Sequence, residues 1–283
     1  MTNDTLIDEH CDPPLLARTP AGASREITHG PYTLRRFVRP RSSLSRDDKA
    51  MLMPICMAVS SEMVGADLSE YWERRDYFQE LSEWWLVTAG REVVGWAGIK
   101  ILACVREPLL YIDTVGFRHA HHRHGLATLL TVAPWSAISR DRRRLMTMTF
   151  RTQSPVVLRA AANLGGRYTF PYPSSGAAHG SDRAFAAAQA TAEHLGPTGI
   201  KLEREFFVSR EVFSYMGSLY GETLPLSGEP QLDSRFTALV DTQAGDALIG
   251  VMLGTPGFAA RALRAWLKIT RHLRGLQLAD ADS

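Results

Sequence analysis

Cysteine is scarce. The 283 residues hold three, Cys11, Cys56 and Cys104, widely spaced and with no Cys-x-x-Cys pair. That excludes a disulfide framework and a cysteine-built zinc site, and it fits a reducing compartment. An excess of one charge is lacking too: 32 Lys and Arg stand against 30 Asp and Glu, a net +2. No global field draws such a chain to nucleic acid or anionic lipid. No window holds ~18 uninterrupted apolar residues, the length a membrane span needs. The run from Val93 to Val105 is too short and is broken by Lys100. Met1 to His10 carries Asp4, Asp8 and Glu9 and no apolar stretch, so it does not read as a secretory signal. The expectation is a cytoplasmic protein with neither nucleic acid nor membrane as partner.

What is present is an ordinary globular composition, 45% hydrophobic and 22% charged. Residues 1–30, with Pro13, Pro14, Pro20, Gly22 and Gly30, read as a flexible arm. Tyr32 to Val38 alternates as a strand. Ser45-Arg46-Asp47-Asp48 is a capping signature opening a helix through Met63, and a second helix is expected over Leu68 to Leu81. Trp84 to Thr88 and Val93 to Leu102 flank a turn as a hairpin, and Leu109 to Phe117 is the next strand. Leu145 to Phe150 reads as a strand. Ser154-Pro155 opens a helix that ends at Gly165-Gly166. Asp182 to Leu195 is an alanine-rich helix. Leu202 to Val208, Phe236 to Asp241 and Ala247 to Leu253 read as strands, and Gly257 to Leu273 as a closing amphipathic helix. Its apolar face, Ala259, Leu263, Trp266, Leu267, Thr270 and Leu273, is expected to pack on the body.

The stretch that points to chemistry is 111–130, Tyr-Ile-Asp-Thr-Val-Gly-Phe-Arg-His-Ala-His-His-Arg-His-Gly-Leu-Ala-Thr-Leu-Leu. A strand enters a cationic loop that turns on Gly125 into a helix. Such a layout aims unpaired N–H groups and the positive end of a helix dipole at one point, and an anion, in particular a pyrophosphate, suits it.

The order strand, two helices, hairpin, strand, glycine loop, helix, strand, helix resembles the GNAT acetyltransferase superfamily over residues 32–170. That family's acyl-CoA signature, Arg/Gln-x-x-Gly-x-Gly/Ala, falls on His122-Arg123-His124-Gly125-Leu126-Ala127, with His122 in place of the usual first residue. Farther on, Ser154 stands at the family's asparagine position, and Ala160-Ala161-Ala162 occupies the place of its customary tyrosine acid. The resemblance implies a mixed α/β (α+β) sheet of GNAT-like acyltransferase fold in 31–173, followed by a C-terminal α+β extension, 174–283, of unassigned role. It implies acetyl-CoA or another acyl-CoA as co-substrate and a small-molecule or peptide primary amine as acceptor, with direct transfer between them. A homodimer is compatible with it. It further implies that Val115, Gly116 and Phe117 line the pantetheine arm, with His122, Arg123, His124, Gly125, Leu126, Ala127 and Ser154 at the cofactor.

Asp113 lies mid-strand in an apolar run, where a carboxylate is costly unless paired or functional. It is either the base or the partner of a nearby arginine. Strict alternation puts Asp113, Val115 and Phe117 on one face. Glu83 is the second candidate base. Tyr168 and Tyr172 follow the second motif closely enough to replace the missing acid. His119, His121, His122 and His124 read as polar loop residues beside a polyphosphate rather than as metal ligands, and no metal is expected. Two other functions fit the same residues: a non-catalytic acyl-CoA-binding or sensor protein, and transfer from a carrier-protein phosphopantetheine.

Overall fold

The computed structural model describes residues 15–73, 75–104, 107–171, 182–196, 202–204 and 206–281, with side chains to 275. Strands β1 (Arg25–His29) and β2 (Tyr32–Val38) pair antiparallel. The segment expected to be a loose arm is thus a strand from Arg25 onward, because its N–H and C=O groups find the edge of β2. Helix α1 (Pro40–Ser43) leads into α2 (Arg46–Val64). Ser45 Oγ accepts from the Asp48 N–H, and Asp48 reaches back to the Ser45 N–H, which closes the expected capping box. Gly65 in the left-handed region ends the helix.

The single helix expected over Leu68 to Leu81 is two short pieces, α3 (Ser69–Glu73) and α4 (Tyr77–Glu80). Arg75 lies in the break, where it turns toward the sheet to meet Asp113. Next come β3 (Glu83–Ala89), β4 (Glu92–Leu102), β5 (Leu109–Phe117), α5 (Leu126–Asp141), β6 (Met148–Thr152) and α6 (Pro155–Gly165). The remainder holds β7 (Thr169–Phe170), α7 (Asp182–Leu195), β8 (Leu202–Glu203), β9 (Val208–Ser209), α8 (Pro230–Leu239), β10 (Ala247–Met252) and α9 (Pro256–Ala281).

Among the described residues one ten-stranded sheet runs β1-β2-β3-β4-β5-β6-β10-β9-β8, with β7 also on β10. Every pairing is antiparallel except β5 with β6. The fold is therefore a mixed α/β sandwich. On one face α2, α3 and α4 bury Leu52, Val59, Trp72 and Phe78 against Phe37, Trp84 and Trp96. The alanine face of α7 packs on Tyr111, Ile249 and Val251. On the other face α5, α6, α8 and α9 cover Leu110, Met148 and Phe150.

Three expectations in the extension change. Leu202 to Val208 splits into two-residue strands. Phe236 to Asp241 falls at the end of helix α8, where Pro230 starts the first turn and Leu232 and Phe236 bury one helical face. On α9 the expected Ala259, Trp266, Thr270 and Leu273 pack on the body together with Phe258 and Ala262, whereas Leu263 and Leu267, expected on the same face, are exposed.

Candidate active site

Gly98 of β4 pairs with Thr114, and the next pair is Ile99 with Ile112, so Asp113 has no opposite number. This bulge shifts the phase of β5. Ile112, Val115 and Phe117 pack toward α5. Asp113 and Thr114 instead face the α2–α4 side, where Thr114 Oγ1 and the Tyr77 hydroxyl lie 2.6 Å apart. The expected grouping of Asp113 with Val115 and Phe117 is corrected by that extra residue. Gly98 makes it possible, since a Cβ there would lie 2.4 Å from the Tyr77 hydroxyl.

Parallel pairing of β5 with β6 ends at Ile112 and Phe150, one residue before the bulge. Beyond it β5 continues to Phe117 whereas β6 ends at Thr152, and the two strands share no further pairing. A cavity of about 460 Å³ occupies this gap and reaches both faces of the sheet. Val115, Phe117, Ala127, Thr128, Val157 and Ala160 wall it on the side of α5 and α6. Met63, Tyr71, Tyr111, Asp113, Arg151 and Tyr220 wall it on the opposite side.

The α5 end of the cavity is a helix N-terminus. Leu129 N–H donates to Gly125 O as the first helical bond. The N–H groups of Leu126, Ala127 and Thr128 therefore have no intrahelical acceptor, and they meet none elsewhere among the described residues. Arg123 and Gly125 both have positive φ, 66° and 79°, and fold the turn tightly. The turn is pinned from behind. The Tyr32 hydroxyl bonds Nδ1 of His121 at 3.0 Å and Nδ1 of His124 at 2.5 Å. The His119 N–H donates to Glu62 at 2.8 Å. A Cβ on Gly125 would lie 2.4 Å from Ile269 Cδ1 of α9, so that helix covers the back of the turn.

The expected cofactor residues thus divide. Val115, Phe117, His122, Ala127 and Ser154 line the cavity with Thr128, whereas Gly116, Arg123, His124, Gly125 and Leu126 stand behind it. Gly116 is small because the Trp96 ring lies over it. Among the described residues no three His, Cys, Asp or Glu side chains are placed to hold a metal ion. No helix among them is long and apolar enough to cross a membrane.

The expected catalytic residues divide as well. Asp113 lines the cavity, paired with Arg75 at 2.7 Å and Lys100 at 3.2 Å. Burial works against the Arg75 charge, yet Tyr71, Asp113 and Glu80 raise its pKa above the ordinary guanidinium value. Glu83 lies outside the cavity, held by Arg36 and by Trp85 Nε1 at 3.0 Å. Tyr168 is elsewhere, its hydroxyl against Gly257 and Arg167. Tyr172 lies outside the described residues.

The extension brings Tyr220 into the cavity wall beside Ser154 at the start of α6. Burial pushes the Tyr220 hydroxyl above its usual pKa. Gln153 fixes the loop that carries it: its amide N donates to the carbonyls of Gly217 and Asp246, and its oxygen accepts from the Leu219 N–H. Arg75, Arg151 and Tyr220 have no local motif, so sequence reading passes over them. Only the hidden cost of Arg151 within a strand hints at a role.

No family model matches the chain, and no curated protein matches it. Solved structures do. An aminoglycoside acetyltransferase from an uncultured soil metagenomic sample is similar at 16% identity and a TM-score of 0.33, over 42% of this chain and 78% of that one. A GCN5-related N-acetyltransferase from Kribbella flavida is similar at 19% identity and a TM-score of 0.32, over 47% and 32%. The diaminobutyrate acetyltransferase of Paenibacillus lautus, solved with L-2,4-diaminobutyric acid and coenzyme A, is similar at 14% identity and a TM-score of 0.30, over 46% and 70%. At such identities and TM-scores residue roles do not carry across; in part of its length the chain is similar to acetyltransferases of the GCN5-related kind.

Proposed function

We propose that the protein is an N-acyltransferase that moves an acetyl or other acyl group from coenzyme A directly to a primary amine. The observation that supports this best is the cavity through the sheet where β5 and β6 part. One mouth is lined by Ala127 and Thr128, whose N–H groups at the α5 N-terminus are free and suited to a pyrophosphate. The free edge of β5 beyond Ile112 suits the amides of a pantetheine arm. The opposite mouth, between α2 and the 213–225 loop, admits a second molecule. Two substrates entering from opposite faces meet in the gap, and their alignment supplies much of the rate.

In the reaction the ammonium first loses a proton to water. The amine lone pair attacks the thioester carbon, the C–N bond forms, the C–S bond breaks, and the thiolate takes a proton. Overall, ammonium and thioester give amide, thiol and one released proton. Tyr220 is suited to protonate the thiolate by position, since its phenol, protonated at neutral pH, lies in the cavity wall. Asp113 is not free to act as base while two cations hold it; its role is to orient Arg75.

Thermal unfolding with and without acetyl-CoA tests the reading. At a hundred times Kd, ligand stabilises by about 2.7 kcal/mol, which raises Tm by roughly 5 °C or more. Thr128→Glu keeps a helix-favouring charge at the α5 N-terminus but repels phosphate, so it should abolish the shift without lowering the basal Tm. An unchanged shift in that variant refutes the pyrophosphate site. No shift in the wild-type protein with any acyl-CoA sinks the whole reading.

A further inference from the structure

On the amine side of the gap the charges do not cancel. Arg75 and Lys100 share Asp113 and Glu80 in a closed set of four ion pairs, at 2.7, 3.2, 3.1 and 2.6 Å. That set is neutral. Arg151, which lines the same chamber, forms no ion pair with a carboxylate among the described residues. Its Nε is buried without a hydrogen-bond partner. Its guanidinium lies over the Phe213 ring at 4.4 Å, and stacking on a ring face leaves a guanidinium's edge donors for other partners. A cation taken partly out of water with an unmet donor is costly, and a ring face offsets only part of that. Gln153, just past the end of β6, is engaged with the carbonyls of Gly217 and Asp246 and with the Leu219 N–H, and cannot serve it.

We propose that Arg151 binds a carboxylate of the acyl acceptor, so the acceptor is a small amino acid rather than a polycationic amine. This rests on the transferase reading given above. A rigid guanidinium presents parallel donors that match a carboxylate in two-point fashion. Met63, Val64 and Leu68 along the chamber suit the methylene segment between the two charged ends. The amine then points into the gap beside β5, and the acid end is held at β6. A second positive charge on the acceptor would meet Arg151 unshielded, which disfavours polyamines.

Titration calorimetry on the full chain in the presence of coenzyme A decides it. The probes are unbranched amino acids from glycine to 6-aminohexanoate, each beside the alkylamine that lacks its carboxylate. At least one acid should bind tenfold or more tighter than its amine. Arg151→Gln should erase that difference, and Arg151→Lys should keep part of it. In acylation assays the loss in Arg151→Gln should fall on KM for the acid and leave the alkylamine unchanged. Equal binding of every acid and amine to the wild-type protein overturns the proposal without any variant; so does a preference that persists in Arg151→Gln. A CoA-dependent Tm shift with no acid preference sinks this inference alone. An acid preference in a protein that coenzyme A does not stabilise keeps the carboxylate site and sinks the transferase.

Discussion

Removing the charge of Asp113 should cost stability before it costs chemistry. Its side chain is 5% exposed and that of Arg75 14%, so Asp113→Asn takes from a buried guanidinium its best-buried carboxylate and leaves it the more exposed Glu80. Breaking such a pair costs about 3 kcal/mol, and chemical denaturation should show it as a lowered midpoint. A variant of unchanged stability whose kcat collapses would restore Asp113 as the base. Tyr220→Phe should behave the opposite way. It keeps the ring, so the acetyl-CoA-dependent Tm shift persists, while kcat falls about a hundredfold with the loss of a proton donor; unchanged kcat removes Tyr220 from the chemistry. The contrast shows why these roles were only half legible. The cost of a carboxylate inside β5 marks Asp113 from sequence alone, and an arginine partner was one of its two expected fates. The bulge that turns it away from Val115 depends on Gly98 across the strand, which alternation within β5 does not contain. Tyr220 and Arg151 gain meaning only from neighbours far along the chain.

Helix α9 ties the glycine turn to the sheet edge, and a histidine makes that tie sensitive to pH. His29 of β1 meets the Trp266 ring edge-on at 5.0 Å, and its Nε2 is buried without a partner. Burial, and then the charge of Arg274, lowers its pKa below the usual 6.5. The unfolded chain therefore binds the proton first as pH falls. The stability contributed by neutral His29 is present above about 6.5 and is lost as pH drops below it. Melting curves between pH 7.5 and 5 should slope downward for the wild-type protein and less steeply for His29→Gln; identical slopes would remove His29 from the α9 contact. Elements with a clean period, β2 to β5, α2, α5 and α6, are legible in the sequence because one apolar face suffices to define them. The failures share a cause in tertiary contact. The break between α3 and α4 serves Arg75, and β1 exists because β2 offers it an edge. Phe236 buries from a helix begun by Pro230 although its local pattern suits a strand equally well.

At the scale of the molecule, the extension is woven into the sheet rather than appended to it. β10 pairs with β6 from Leu248 opposite Thr152 to Met252 opposite Met148, and it carries β9 and β8 beyond it. Phe258, Ala262 and Leu273 of α9 enter the same core as Leu129 and Leu158. Phe213, Leu219 and Tyr220 complete the cavity wall. Residues 31–173 and 174–283 therefore share a sheet, a core and a candidate site, and they should melt as one cooperative unit. Differential scanning calorimetry of the full chain should give a single transition with equal calorimetric and van't Hoff enthalpies. A fragment ending at 173 would leave the edge of β6 bare, a ready template for aggregation, and would expose the apolar face of α6. It should neither melt cooperatively nor gain stability from acetyl-CoA. If it did both, the gap between β5 and β6 would be held open by the front half alone, and the part played by the extension would shrink to the acceptor side, where Tyr220 and Phe213 stand.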